Sequence, residues 1–180
     1  FALIFALVPI GYISMAQYQK DRIEAFLHPD NLSLPGNYQV WQSKVAIGSG
    51  GFFGKGLFGG TQKSLDFIPV QTSDFFFAVL GEELGLLGGF FVVALYLVLL
   101  LRMMSILKNA VDFYGALIIS GIIGMFVFQI FENIAMTMGL MPVTGITLPF
   151  LSYGGSSIVS NMLAIALVLN IAVRSKKINF

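Results

Sequence analysis

Leu84-Gly-Leu-Leu-Gly-Gly-Phe-Phe-Val-Val-Ala-Leu-Tyr-Leu-Val-Leu-Leu-Leu101 carries no charge from end to end. A helix that crosses a bilayer needs about 20 apolar residues. Uncharged runs of comparable or greater length recur at 1–19, 113–131 and 133–173. The whole chain of 180 residues is 57% hydrophobic, 14% aromatic and only 11% charged, with a mean hydropathy of +0.86. Soluble domains carry roughly 25% charged residues. A water-soluble enzyme, a nucleic-acid binder and a disordered chain are therefore excluded, and an integral membrane protein is expected. The net charge of +1 offers no bulk attraction for a polyanion. Cysteine is absent, so disulfide staples and thiolate metal sites do not arise.

Working outward, four helices are the economical reading: an all-α, polytopic membrane fold. Transmembrane helices are expected at residues 1–16, 75–101, 113–135 and 156–173. A large extracellular loop at 17–74, a cytoplasmic loop at 102–112, an extracellular loop at 136–155 and a cytoplasmic tail at 174–180 complete the organisation. The opening run lacks a basic n-region and a cleavage site, so it reads as a span cut at its start rather than a signal peptide. The last span, 18 residues long, gives roughly 27 Å at 1.5 Å rise. Pro142, Pro149 and Gly139, Gly145, Gly154 and Gly155 break the run before it. Arg102 and Lys108 on one flank, and Arg174, Lys176 and Lys177 on the other, assign those ends to the cytoplasm. The two polar loops then face outward. In the larger one, Lys20, Arg22, Lys44, Lys55 and Lys63 balance Asp21, Glu24, Asp30, Asp66 and Asp74. Its stretch from Tyr38 to Ile47 mixes Val40, Trp41, Val45 and Ile47 with polar residues and reads as a short amphipathic helix at the interface.

Seven glycines fall in the 13 residues from Gly48 to Gly60. Gly54-Lys-Gly-Leu-Phe-Gly59 imitates a dinucleotide fingerprint, but no βαβ unit can surround it. The segment is either a cradle of exposed amides for a phosphate, with Lys55 beside it, or a tight turn dipping into the membrane. Gly81, Gly85 and Gly89 repeat every four residues, a pattern that permits close helix contact. Glu82, Glu83 and Glu132 lie near the outer ends of spans and are candidates by virtue of being intramembrane carboxylates. Asp74 stands where the polar loop meets an apolar helix. It either caps or charges the first helical turn or presents a carboxylate able to accept a proton. Asp66 is a candidate assisting or metal-binding carboxylate. His28 has no partner for a zinc site, and Ser152, Ser156 and Ser157 have no His–Asp companion for nucleophilic chemistry.

Several longer motifs point to one family. Tyr38-Gln-Val-Trp-Gln-Ser-Lys44, Ala46-Ile-Gly-Ser-Gly-Gly51, Phe53-Gly-Lys-Gly56, Asp74-Phe and Gly81-Glu-Glu-Leu-Gly85 resemble the SEDS family (RodA, FtsW, SpoVE). So do Asn133, Gly139-Leu-Met-Pro-Val-Thr-Gly145 and Leu148-Pro-Phe-Leu-Ser-Tyr-Gly-Gly-Ser-Ser157. The resemblance covers essentially the whole chain but only the carboxyl-terminal portion of the family. Gly59-Gly-Thr-Gln62 and Pro142-Val-Thr-Gly-Ile146 lean toward the RodA, or elongation, branch. A common family pattern, Pro-Glu-x-His-Thr-Asp, stands here as Pro69-Val-Gln-Thr-Ser-Asp74, so its Glu and His are missing.

The resemblance implies a peptidoglycan glycosyltransferase that polymerises lipid II at the outer face of a bacterial cytoplasmic membrane, working with a class B penicillin-binding protein as transpeptidase. Asp74 corresponds to the family's catalytic acid and Asp66 to the preceding acidic position. Lys44 and Lys55 are the expected pyrophosphate contacts, with a divalent cation such as Mg as the candidate cofactor. Gln42, Glu82, Glu83, Ser152 and Tyr153 are expected to line the cavity. Lipid II translocation and a noncatalytic scaffold for the transpeptidase are the competing functions. Concentration of polar residues outside the bilayer favours surface chemistry over transport.

Overall fold

The computed structural model describes residues 15–57, 59 and 74–175. Five helices and no strand occur among them: α1 (Gln17–Leu27), α2 (Asn37–Gly50), α3 (Phe76–Lys108), α4 (Phe113–Thr137) and α5 (Gly155–Ser175). The last three are long and apolar enough to cross a membrane. Residues 1–14 of the expected first span lie outside the described residues, and Met15 and Ala16 are not helical.

The spans pack through one apolar seam in which Phe126, Ile119 and Met103 are almost wholly buried. Phe90, Phe91, Leu97, Val98 and Leu101 point outward from α3. Large apolar side chains on the outside are what a lipid solvent permits, since burial there gains nothing over contact with acyl chains. The helix does not stop at Leu101 but continues to Lys108, so residues 102–108 are helix, not loop. Met103 is buried in the core and Ile106 and Leu107 pack against it, which holds those turns in place. The connection to α4 shrinks to a short turn ending at Asp112, whose carboxylate accepts from the Gly115 amide at 3.3 Å.

At about 1.5 Å per residue, the 33 residues of α3 would make a rod of about 50 Å, well beyond a hydrocarbon core of ~30 Å. The rod is broken at Gly85, which has φ 67° and ψ −162°. A break strands carbonyls before it and amides after it. The glycine-rich segment after α2 supplies their partners. The Lys55 and Gly56 amides donate to the Glu82 and Glu83 carbonyls, each at 3.0 Å, while the Leu86 and Leu87 amides donate to the Gly51 and Phe52 carbonyls at 2.9 and 3.2 Å. A Cβ on Gly54 would collide with the Glu83 backbone, and one on Gly85 with that of Gly54. The amides at Lys55 and Gly56 are thus used within the fold, which takes them out of any phosphate cradle.

The expected short helix exists as α2, with Val40 and Ile47 packed toward the core. Gln42, Ser43 and Ala46 are buried, whereas Tyr38, Trp41 and Val45 are exposed. Ser43 faces inward because it finds a partner on α4, and Gln42 is satisfied within α2 itself. Ser43 Oγ donates to the Thr137 carbonyl at 2.7 Å and Gln42 Nε2 to the Tyr38 hydroxyl at 2.8 Å. Gly50 lies so close to α3 that a Cβ would strike the Gly81 carbonyl oxygen.

Candidate functional site

Asp74 sits immediately before the N-cap of α3, which is Phe75, and no side chain caps that helix. The capping reading of Asp74 is therefore set aside. Its carboxylate makes no hydrogen bond to a described residue, and Oδ2 lies 3.5 Å from where a Cβ on Gly145 would stand. Gly145, at φ 78°, is a position where a side chain would be strained.

The backbone of Asp74 is held firmly. Asn133, wholly buried on α4, donates both protons of its side-chain amide, to the Asp74 carbonyl at 2.9 Å and to the Ile146 carbonyl at 2.7 Å. One buried amide thus clamps the start of α3 to the loop between α4 and α5. That loop has three further anchors. Tyr96 of α3 donates its hydroxyl to the Pro149 carbonyl at 2.6 Å, the Leu148 amide donates to Ser152 Oγ at 2.9 Å, and Thr144 Oγ1 donates to Glu132 Oε1 at 2.6 Å. Phe150, a non-glycine residue at φ 62°, is kept in that conformation while its ring stacks on Phe126 at 5.8 Å.

The expected site residues separate into groups. Lys55 is not an open counter-charge: its ammonium meets Glu82 Oε1 at 2.7 Å, and the Glu82 carboxylate is fully buried. A carboxylate so placed needs a cation, and the glycine turn delivers one. Glu82 accordingly belongs to the splice at Gly85, and Glu83 beside it is half-buried. Ser152 is sealed into its turn, Tyr153 is 78% exposed, and Gln42 is buried on α2. Lys44 is exposed and makes no ion pair among the described residues; its chain lies across Gly139, which has φ 70°. Asp66 lies outside the described residues. Among the described residues no three His, Cys, Asp or Glu side chains gather in a way that could hold a metal. Asp74 and its described neighbours do not by themselves make a donor set for Mg.

Arg22 of α1 reaches this end of the molecule, and sequence reasoning did not single it out. Its Nη1 donates to the Thr144 carbonyl at 3.1 Å, one residue from the glycine that faces Asp74. By sequence it is only one more loop charge, since the partner lies 122 positions away and nothing local announces it.

Three apolar spans with an acid, its clamp and a cation gathered at one end define a multi-pass helical membrane protein with a polar site over its bundle. The chain belongs to the FtsW/RodA/SpoVE family of cell cycle proteins, whose profile matches residues 1–177. It is 45% identical to the peptidoglycan glycosyltransferase RodA of Treponema pallidum (strain Nichols), over 92% of this chain and 38% of that protein. It is 42% identical to stage V sporulation protein E of Bacillus subtilis (strain 168), over 93% and 45%, and 39% identical to the peptidoglycan glycosyltransferase MrdB of Escherichia coli (strain K12), over 98% and 48%. The chain thus spans less than half the length of these relatives. Among solved structures it resembles a chain of a peptidoglycan synthase complex, with TM-score 0.79 and 29% identity over 98% of this chain and 48% of that one. It also resembles a point variant of the rod shape determining protein RodA of Thermus thermophilus, with TM-score 0.58 and 34% identity over 68% and 38%.

Proposed function

We propose that this chain contributes the catalytic base of a peptidoglycan glycosyltransferase that polymerises lipid II at the outer face of the cytoplasmic membrane. The observation that carries the reading is Asp74 at a helix start: its backbone carbonyl is held by Asn133, while its carboxylate caps no helix and faces Gly145. The names of the relatives and the structural likeness to a peptidoglycan synthase complex support it.

In this mechanism Asp74 takes the proton of the acceptor sugar's 4-hydroxyl while that oxygen attacks the donor's anomeric carbon. The bond from that carbon to the diphosphate oxygen breaks, and undecaprenyl diphosphate leaves with the electron pair. One displacement inverts the configuration. A positioned general base contributes typically 10²–10⁴-fold, and neutralising the departing diphosphate is a separate electrostatic need. Lys44 remains for that purpose, since Lys55 is engaged by Glu82. A class B penicillin-binding protein is the expected partner, in keeping with the similar synthase complex, in which polymerization and crosslinking are coordinated. The elongation role is the preferred branch.

The test is full-length protein carrying Asp74→Asn and supplied with labelled lipid II. Glycan polymerisation should fall by about 10²–10⁴-fold. Glycan chains formed at the unchanged rate would remove Asp74 as the base.

A further inference from the structure

Arg22 and Lys44 line one narrow pocket between α1, α2 and the start of the loop after α4, together with Asn37, Pro35, Gly139 and Pro142. Its free volume is about 30 Å³. A single water needs ~10–15 Å³ on the same measure, so the pocket admits one small polar group and no sugar ring. Arg22 and Lys44 are the charged residues in a lining otherwise mostly apolar, with Phe26, Val40 and Met141 among it, and no carboxylate lines it. Neither cation makes an ion pair with a described residue. The Arg22 guanidinium uses Nη1 on the Thr144 carbonyl at 3.1 Å, and its carbon stands 5.9 Å from the centre of the Tyr18 ring. Five N–H donors in a planar fork leave ample capacity for a second acceptor. Two like charges lining one cavity with no carboxylate among its walls favour an anion there.

We propose that the Arg22–Lys44 pocket is an oxyanion site for the substrate, seated beside the Asp74 carboxylate. The link runs from the guanidinium to the Thr144 carbonyl and on to Gly145, which faces Asp74 Oδ2. The proposal rests on the glycosyltransferase reading, because it takes the ligand to be a lipid-linked sugar. Two anions of such a substrate share the required chemistry, the diphosphate and a carboxylate of the stem peptide. The guanidinium presents a two-pronged donor to either, and the ammonium supplies a point charge. Gly139 is part of the design: with φ 70° and no side chain it lets the Lys44 stem cross to the pocket.

Binding without turnover separates this site from the base. Full-length protein carrying Asp74→Asn is embedded in lipid nanodiscs and titrated with undecaprenyl diphosphate, undecaprenol, lipid II, and lipid II lacking its stem peptide. Arg22→Gln and Lys44→Gln are then added singly and together. The double variant should lose at least tenfold in affinity for a ligand bearing the recognised anion, and Lys44→Arg should restore most of what Lys44→Gln removes. A loss confined to undecaprenyl diphosphate and both forms of lipid II identifies the diphosphate. A loss confined to lipid II with its peptide identifies the carboxylate. Equal weakening for undecaprenol, or unchanged affinity for every ligand, overturns the site. Normal polymerisation by Asp74→Asn would instead overturn the base and leave these binding results standing.

Discussion

Lys55 and Asp74 are both charged side chains beside apolar helices, and packing assigns them opposite work. Lys55 closes on a carboxylate with no exposure to solvent, so it stabilises the fold. Removing one partner of a buried pair typically costs 3–5 kcal/mol because the other charge stays behind. Lys55 keeps 29% exposure, which places Lys55→Met near the lower end, about 3 kcal/mol. The check is the thermal midpoint in detergent; adding Glu82→Gln to Lys55→Met should recover much of the loss. The sequence could mark Glu82 and Lys55 as unusual, but not as mates, because the pair closes only once α3 breaks and the glycine turn folds onto it. Asp74 could be marked as cap or base. Only the observed N-cap, Phe75, separates the two. Arg22 was illegible for a simpler reason: its acceptor is a backbone carbonyl, which leaves no trace in side-chain identity.

Elements were more legible than their joints. Apolar runs gave α3, α4 and α5 because a lipid solvent demands length and hydrophobicity above all. Gly85 looked like one member of a contact stripe, yet its backbone is where α3 breaks. Gly85→Ala should be severely disruptive: φ 67° with ψ −162° is a conformation essentially confined to glycine, which costs a side chain about 1–3 kcal/mol, and the new Cβ would also drive the Gly54 amide away. Lower yield of folded protein and a fall in thermal midpoint would show it, whereas Gly121→Ala, where a Cβ meets nothing, should be mild. Asn133 joins two elements in a different manner. Asn133→Ala strands two carbonyls at a cost of about 1–3 kcal/mol and frees the start of α3 from the loop. Because Asn133 positions Asp74 through its backbone, kcat for lipid II should fall while KM changes little. A variant with unaltered kcat would show that the clamp serves stability alone.

At the scale of the whole molecule, the acid, the clamp and the cationic pocket all lie at the end of the bundle where α3 begins and α4 finishes. Arg102 and Lys108 lie toward the opposite end of α3, and Arg174 closes α5. Basic residues in short flanks favour the cytoplasm, so the site end should face outward, where lipid-linked sugars are polymerised in the proposed function. No cysteine of this chain competes with an introduced one, so the orientation is testable in full-length protein in which any cysteine outside this chain is replaced. Tyr153, 78% exposed beside the site, and Asn109, in the turn between α3 and α4, stand at opposite ends. In intact cells whose full-length protein carries a single introduced cysteine, Tyr153→Cys should react with a membrane-impermeant maleimide. Asn109→Cys should react only after the membrane is opened. The reverse pattern would put Asp74 on the cytoplasmic side and end the case for polymerisation at the outer face, while leaving the helix break, its glycine splice and the Asn133 clamp untouched.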